Sequence, residues 1–293
     1  MGVEENMSRI SYSQISLFNE CPHHWKLRYV DKIAKFESNI HLIFGTAMHE
    51  VLQHYLDVMY EHTIKKADEI DVDKMLMEKL KEGFIKAKEE EDGREPCTID
   101  DMKEFYVDGV TILDWFKRRR GDYFSKKGYK LIGCEVPIKY DLPKGITMVG
   151  YLDVVIHDTL SNTIKIIDIK TSTRGWNKWM KKDENKTQQL LLYKKFYSQQ
   201  YGFPIENIEV EYFIVKRKLY ENVDFPQKRV QKFSPASGTV SMNKVGKKLT
   251  EFVSQAFDDE GNHLLTPHEK RASKKACRWC EFNQTEYCDR GIK

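Results

Sequence analysis

Residues 145–171 read GITMVGYLDVVIHDTLSNTIKIIDIKT, and the fold turns on them. Two runs rich in Ile, Val and Thr, 145–156 and 163–171, have the composition of β-strands and are joined by the turn-like Asp158-Thr-Leu-Ser-Asn162. Side chains alternate between the faces of a strand, so Asp168 and Lys170 share one face while Ile167 and Ile169 point to the other. Two carboxylates, Asp153 and Asp168, and the Lys170 ammonium gathered at strand ends would be costly unless a cation and a phosphate lay among them. Hard carboxylate oxygens suit Mg²⁺ or Mn²⁺, and a lysine two residues past a ligand can stabilise charge that builds on a phosphate. His49 could add a nitrogen ligand and bias the site towards Mn²⁺. Taken singly these signals are weak. D-x-K is common by chance, and His49 lies at helical spacing with Leu52 and Leu56, as a core histidine would.

The flanking segments predict an α/β arrangement, a mixed sheet flanked by helices. An amphipathic helix is expected over 11–30, a helix carrying His49 over 42–61, and two more over 72–91 and 99–119, separated by Asp92-Gly-Arg-Glu-Pro96. Three strands follow at about 130–140, 145–157 and 163–171, then a helix over 184–201 that stops before Gly202-Phe-Pro204. A strand is expected over 207–217 and a helix over 240–258, ahead of a cysteine-bearing tail. No repeat, low-complexity segment or linker divides the chain. It reads as a single domain, 1–293, with an N-terminal segment (1–40), a helical region (41–130), a core (131–217) and a C-terminal helix and tail (240–293).

The ordered set is more specific than its parts. Gly45-Thr-Ala-Met-His49, then Glu135 in Cys134-Glu-Val-Pro-Ile138, Gly150-Tyr-Leu-Asp153, Asp168-Ile-Lys170 and Gln189-Leu-Leu-Leu-Tyr193 follow one another. This order resembles the RecB/AddB-like exonuclease branch of the PD-(D/E)XK nuclease superfamily, and is similar to its CRISPR-associated adaptation exonucleases. The resemblance covers residues 11 to 288. It implies a restriction-endonuclease-like fold and a metal-dependent DNA exonuclease of recombination, repair or replication. It implies a metal bound by His49, Asp153, Asp168 and the Ile169 carbonyl, with Glu135, Asp153, Asp168, Lys170, Gln189 and Tyr193 as the catalytic set. The stretch between His49 and Glu135 is long and mostly helical, so substrate geometry need not follow any one relative. A structure-specific endonuclease, or a DNA-binding subunit that keeps only the fold, are the alternatives; the latter would be marked by loss of an acid or the lysine, and none is lost.

Six cysteines carry a second signal: Cys21, Cys97, Cys134, Cys277, Cys280 and Cys288. No signal peptide or apolar run of membrane-spanning length is evident, so a cytoplasmic, reducing compartment is expected and disulfides are not. Cys277-Arg-Trp-Cys280 with Cys288 supplies three thiolates, and a four-coordinate site needs one more. The iron–sulfur members of the branch place their first cysteine where Cys21 stands, in Ser13-Gln-Ile-Ser-Leu-Phe-Asn-Glu-Cys-Pro22, so the resemblance implies a 4Fe-4S cluster on Cys21, Cys277, Cys280 and Cys288. A Cys₃His zinc site using His268 or His263, and plain buried thiols, remain open. Cys97 and Cys134 lack ligand spacing and read as packing residues.

The chain has 293 residues, 40% hydrophobic and 32% charged, enough to bury a sizeable core. Its net charge of +3 identifies no partner, but the distribution is uneven. Residues 61–104 hold fifteen acids against nine bases, whereas 117–130 hold seven bases and one acid. That basic stripe, with Arg118, Arg119 and Arg120, and the segment Arg174-Gly-Trp-Asn-Lys-Trp-Met-Lys-Lys182 are expected to contact DNA. In the second, Trp176 and Trp179 would stack on bases while Arg174, Lys178 and the other lysines follow phosphates. Neither a Walker A loop nor a membrane span is present, so unwinding would have to come from a helicase or recombination partner.

Overall fold

The computed structural model describes residues 8–33 and 37–292. Residues 1–7, 34–36 and 293, part of the expected N-terminal and C-terminal segments, lie outside the described residues. In chain order the elements are β1 (Arg9–Ile10), α1 (Tyr12–Glu20), α2 (Pro22–Trp25), α3 (Ile40–Glu61), α4 (Ile64–Asp68), α5 (Val72–Glu90), α6 (Ile99–Arg119), β2 (Tyr129–Leu142), β3 (Ile146–Asp158) and β4 (Thr163–Ser172). They continue with α7 (Lys178–Lys182), α8 (Glu184–Tyr201), β5 (Ile208–Lys216), β6 (Val230–Phe233), α9 (Thr239–Ala256) and α10 (Lys274–Cys277). Among the described residues no helix is long and apolar enough to cross a membrane.

The sheet is mixed, in the order β1-β3-β4-β5-β6, with β2 on the other side of β3. β2 pairs with β3 antiparallel along its length, and β4 pairs with β5 in parallel from Ile164–Ile208 to Ser172–Lys216. The remaining edge of β3 is divided. Thr147 and Met148 pair with β1 in parallel, Val154 to Asp158 pair with β4 antiparallel, and the register joins neither strand to Val149–Asp153. This gap is where the site forms.

Alternation along β4 puts the sheet between two cores. Ile164 and Ile166 pack with Leu190, Phe196, Phe252 and Trp25 from the α1, α8 and α9 side. Ile167 and Ile169 pack with Phe44, Leu76, Phe116 and Phe213 beneath α3, α5 and α6. The helix ends are capped as their residues demand. Asn39 accepts from the His41 and Leu42 N–H groups, Thr98 and Asp101 form a reciprocal capping box, and Gly202 ends α8 in the left-handed region.

The helix expected over 11–30 is broken. Cys21, the residue before Pro22, is extended at φ −155°, so α1 stops there, α2 restarts, and Lys26–Val30 continue as a short π-helical turn. The two-residue β1 and four-residue β6 were not expected, because runs so short carry no periodicity.

Gly109 sets how closely α6 approaches α5 and α3. A Cβ there would lie 2.4 Å from Leu76 Cδ2 and 3.1 Å from Phe44 Cε2, and Leu76 is fully enclosed, with no space to retreat. Gly109→Ala gains about 1 kcal/mol in helix propensity. Overpacking at this spacing costs on the order of 1–3 kcal/mol, so the expected result is net destabilisation with His49, beside Met48 on α3, displaced. A urea midpoint at or above wild type would show that the contacts of α6 with α5 and α3 are loose.

Candidate active site

Asp153 stands at the end of the gap in β3. Its Oδ2 accepts a 2.7 Å hydrogen bond from the Ile169 N–H, so the carboxylate stands in where a neighbouring strand would pair. Across from it, His49 on α3 brings Nδ1 to 3.5 Å from the same oxygen, and the Ile169 backbone also bonds the His49 ring. Asp168 is 3% exposed, with its Oδ2 2.8 Å from Lys170 Nζ. That oxygen nonetheless lacks a hydrogen bond of acceptable geometry. Its charge is met by the Lys170 ammonium, but no donor among the described residues is well directed at its lone pairs, which is costly unless something else meets them.

Two glycines explain how these pieces approach. A Cβ on Gly45 would sit 3.3 Å from Thr171 Oγ1, so its absence lets α3 close on the end of β4. A Cβ on Gly150 would meet the Tyr193 ring and hydroxyl at 3.0 Å, so the tyrosine can lie against β3 in the gap. Tyr193 is held from its own helix by Gln189, whose Nε2 donates to its hydroxyl over 3.2 Å. Gln189 and Tyr193 thus sit one turn apart on α8, against the Asp153–Asp168 face of the sheet.

Glu135 enters from β2. Its φ is +50°, a left-handed conformation that a non-glycine residue adopts at a cost. Its Oε1 accepts a 2.6 Å bond from Gln53 Nε2, which also donates to the Asp153 carbonyl over 3.0 Å. Gln53 was missed by the sequence reading. The available signal was position: it is four residues after His49 on α3 and so shares its face.

The electrostatics are those of a charged cluster held out of water. Burial pushes the carboxyls of Asp153 and Asp168 up to about 6, even though Lys170 pulls both down. Burial pulls Lys170 down too, but Asp168 and Asp153 outweigh it and hold the ammonium above its ordinary range. Burial, reinforced by Lys170, lowers His49, which keeps the imidazole neutral and able to donate a lone pair. A neutral imidazole, two carboxylates and an orphaned oxygen are a donor set that fits a hard divalent cation such as Mg²⁺ or Mn²⁺.

These shifts fix the sign of a pH effect. A carboxyl with a higher pKa folded than unfolded binds its proton more tightly in the folded protein. In metal-free protein its contribution is therefore fully present below about pH 4 and is lost as the pH rises through about 6. Asp153→Asn keeps an acceptor for the Ile169 N–H and removes the charge. With a chelator at pH 7–8 it is expected to be more stable than wild type by on the order of 1–3 kcal/mol, the difference vanishing near pH 4. Urea denaturation across this range checks it, and a less stable variant at pH 8 would contradict it.

The residues expected to contact DNA are dispersed. Arg118 and Arg119 are exposed at the end of α6, but Arg120 is committed to Asp68 in a 3.0 Å ion pair. This end of the molecule adjoins the C-terminal end of α3, where Lys126 Nζ bonds the Tyr60 carbonyl. His49 lies eleven residues earlier, about 16 Å along the helix axis. The stripe borders the far ends of β3 and β4, where Gly121, Asp122 and Tyr123 line a cavity with Ile156, Lys165 and Ile167, rather than the gap at Asp153. Trp176 is corrected outright as a base platform: it is 7% exposed, and its ring packs 4.8 Å from Tyr212 and 6.1 Å from Phe233. Arg174 lies over Tyr220, while Trp179 is 69% exposed with Lys178 over its ring.

Cys21, Cys277, Cys280 and Cys288 line one cavity, together with His23, His24 and Phe282. Burial, with smaller contributions from Glu281, Cys21 and Cys288, pushes the Cys280 thiol up to about 11. Four crowded thiols in one cavity are a donor set that fits a metal centre able to displace their protons. His268 instead packs on Phe18 and Trp25, and His263 on Trp25 and Phe257, so neither faces the cavity. Of the two histidines that line it, His23 bonds the Tyr287 carbonyl through Nε2, while His24 brings Nε2 to 2.9 Å from Glu281 Oε2 and close to the Cys280 sulfur. Cys97 and Cys134 pack with the α3–α5–α6 core, Cys134 donating to the Gln53 carbonyl.

A solved structure of a candidate exonuclease from Eubacterium rectale is similar, with a TM-score of 0.45 and 13% identity over 86% of this chain and 83% of that one. No curated protein matches. The profile of the PD-(D/E)XK nuclease superfamily matches residues 9–288, nearly the whole length, and the chain belongs to that superfamily.

Proposed function

We propose that this nuclease is a metal-dependent deoxyribonuclease acting as an exonuclease on single-stranded DNA or DNA ends. The observation that carries the reading is the orphaned, buried Asp168 Oδ2 beside a charged Lys170, with Asp153 and His49 converging on the same gap in the sheet. His49, Asp153, Asp168 and the Ile169 carbonyl would hold Mg²⁺ or Mn²⁺, which supplies Lewis-acid activation of a phosphate and of its attacking water.

The chain's own residues prepare the rest. Lys170, kept protonated by Asp168 and Asp153, presents a positive charge where negative charge develops on the phosphate. The Asp153–Ile169 bond fixes one carboxylate, and Gln53 ties Glu135 to the Asp153 backbone, so the acids are preorganised. Tyr193, braced by Gln189, closes the side of the gap and restricts water there. A second metal centre, a 4Fe-4S cluster on Cys21, Cys277, Cys280 and Cys288, would tie the two ends of the chain together; the cavity these thiols share supports it. Such a nuclease would serve recombination, repair or replication, beside a helicase or recombination partner that exposes strands.

Labelled oligonucleotides with free or blocked ends, single- and double-stranded, test the reading. Mononucleotide or short-oligomer release from free single-stranded ends, absent with a chelator, is expected. Equal cleavage of end-blocked substrates would make the enzyme an endonuclease, and binding without cleavage would make it a DNA-binding subunit.

A further inference from the structure

We propose that the cysteine-bearing tail is itself part of the DNA-binding surface, with Trp279 a stacking platform for single-stranded DNA alongside Trp179. This rests on the reading of the chain as a nuclease that takes single strands. Trp279 is 82% exposed, although it lies between two cysteines of a tightly folded turn. The Cys280 N–H bonds the Cys277 carbonyl over 3.3 Å, so the turn displays the ring rather than letting it fold inward. Arg278 lies over it at 5.1 Å, as Lys178 lies over Trp179 at 5.1 Å.

The two rings belong to one surface. Lys275 Nζ pairs with Asp183 Oδ1 at 2.8 Å, joining α10 to the end of α7. Trp179 stands four residues before Asp183 and Trp279 four after Lys275. Charge points to the occupant. Lys270, Arg271 and Lys275 are each paired with a carboxylate. Among the described residues, Lys178, Lys181, Lys182, Lys274 and Arg278 make no ion pair. Isolated exposed aromatics among unneutralised cations match a polymer that offers a base face and a phosphate at each step. A protein partner would instead favour a contiguous apolar patch. From α7 the chain runs directly into α8, which carries Gln189 and Tyr193 to the active site, so a strand on this surface is delivered towards Lys170.

Fluorescence anisotropy of a labelled oligo(dT) with chelator present, titrated against salt, tests this on the full-length protein. Trp279→Ala is expected to weaken binding about tenfold with an unchanged salt slope, and Trp279→Phe to restore most of it. Lys274→Gln with Arg278→Gln should lower the slope by about 1. Melting temperature and bound metal should match wild type in each. Should Trp279→Ala fail to fold, the glutamine pair decides, and an unchanged slope there overturns the proposal. A wild-type protein that binds and cleaves single strands while both tail variants bind equally well would overturn this proposal alone, leaving the tail as a protein contact. A wild-type protein that binds no single strand would overturn the single-strand reading of the nuclease with it.

Discussion

Alanine at Lys170, or at Asp168, is expected to lower single-turnover DNA cleavage by about a thousandfold or more, while DNA binding and the cooperative fold persist. Asp168 and Lys170 stand on one face of β4 with the carboxylate enclosed and the ammonium 2.8 Å from it, and each exists in its charged form because of the other. Removing Lys170 deletes the positive charge aimed at the phosphate and leaves two acids without their common counter-charge. Removing Asp168 deletes the orphaned oxygen and lets Lys170 swing towards Asp153. Either change disables the same constellation, so the double variant should lose little more than either single one. Additive losses would show that the two act separately, and near-wild-type cleavage by Lys170→Ala would end the assignment. Urea midpoints and chelator-condition binding, measured on the same proteins, separate loss of chemistry from loss of fold.

Much of this arrangement could be read from the chain before its fold was known. The runs at 145–157 and 163–171 lie where β3 and β4 lie, and the expected helices over 42–61, 99–119 and 184–201 match α3, α6 and α8 within about two residues, as long periodic segments should. Alternation correctly put Asp168 and Lys170 on the face opposite Ile167 and Ile169. What sequence could not give was adjacency. The reach of Gln53 to both Glu135 and Asp153, and the gap that lets Asp153 bond the Ile169 N–H, exist only once β3 divides its edge between β1 and β4. The basic run at 117–130 shows the same limit: its place just before β2 in sequence did not reveal that Arg120 pairs with Asp68 and Lys126 with the Tyr60 carbonyl, at the end of α3 remote from His49. Trp176 and Trp179 are three residues apart in one basic segment, and composition cannot distinguish a ring sealed by Tyr212 and Phe233 from one left in water.

Serine at any one of Cys21, Cys277, Cys280 or Cys288 is expected to bleach the broad visible absorption of anaerobically purified protein and to lower its melting temperature on the order of 10 °C. The four thiols share one cavity although Cys21 and Cys277 are separated in sequence by the whole nuclease core, so a cluster there would add a link between the two ends of the chain. Ties across this seam include the His23 N–H bond to the Glu269 carbonyl, His23 Nε2 on the Tyr287 carbonyl, Glu281 beside His24 and Arg28, Arg271 on the Asn19 carbonyl, and Phe282 against His24. Without the cluster, crowded thiols whose ionisation burial resists would have to be accommodated protonated, and the tail would lose its reason to fold over α2. Cleavage should then fall because the core is less stable, and should recover in part at low temperature, whereas cleavage by Lys170→Ala should not. Cys97→Ser and Cys134→Ser, which pack with the α3–α5–α6 core, should leave the colour unchanged. Iron and labile sulfide in stoichiometric amounts are the expected analysis. Stoichiometric zinc without either would overturn the cluster, and loss of that zinc in His24→Ala would identify His24, rather than His23, as its ligand.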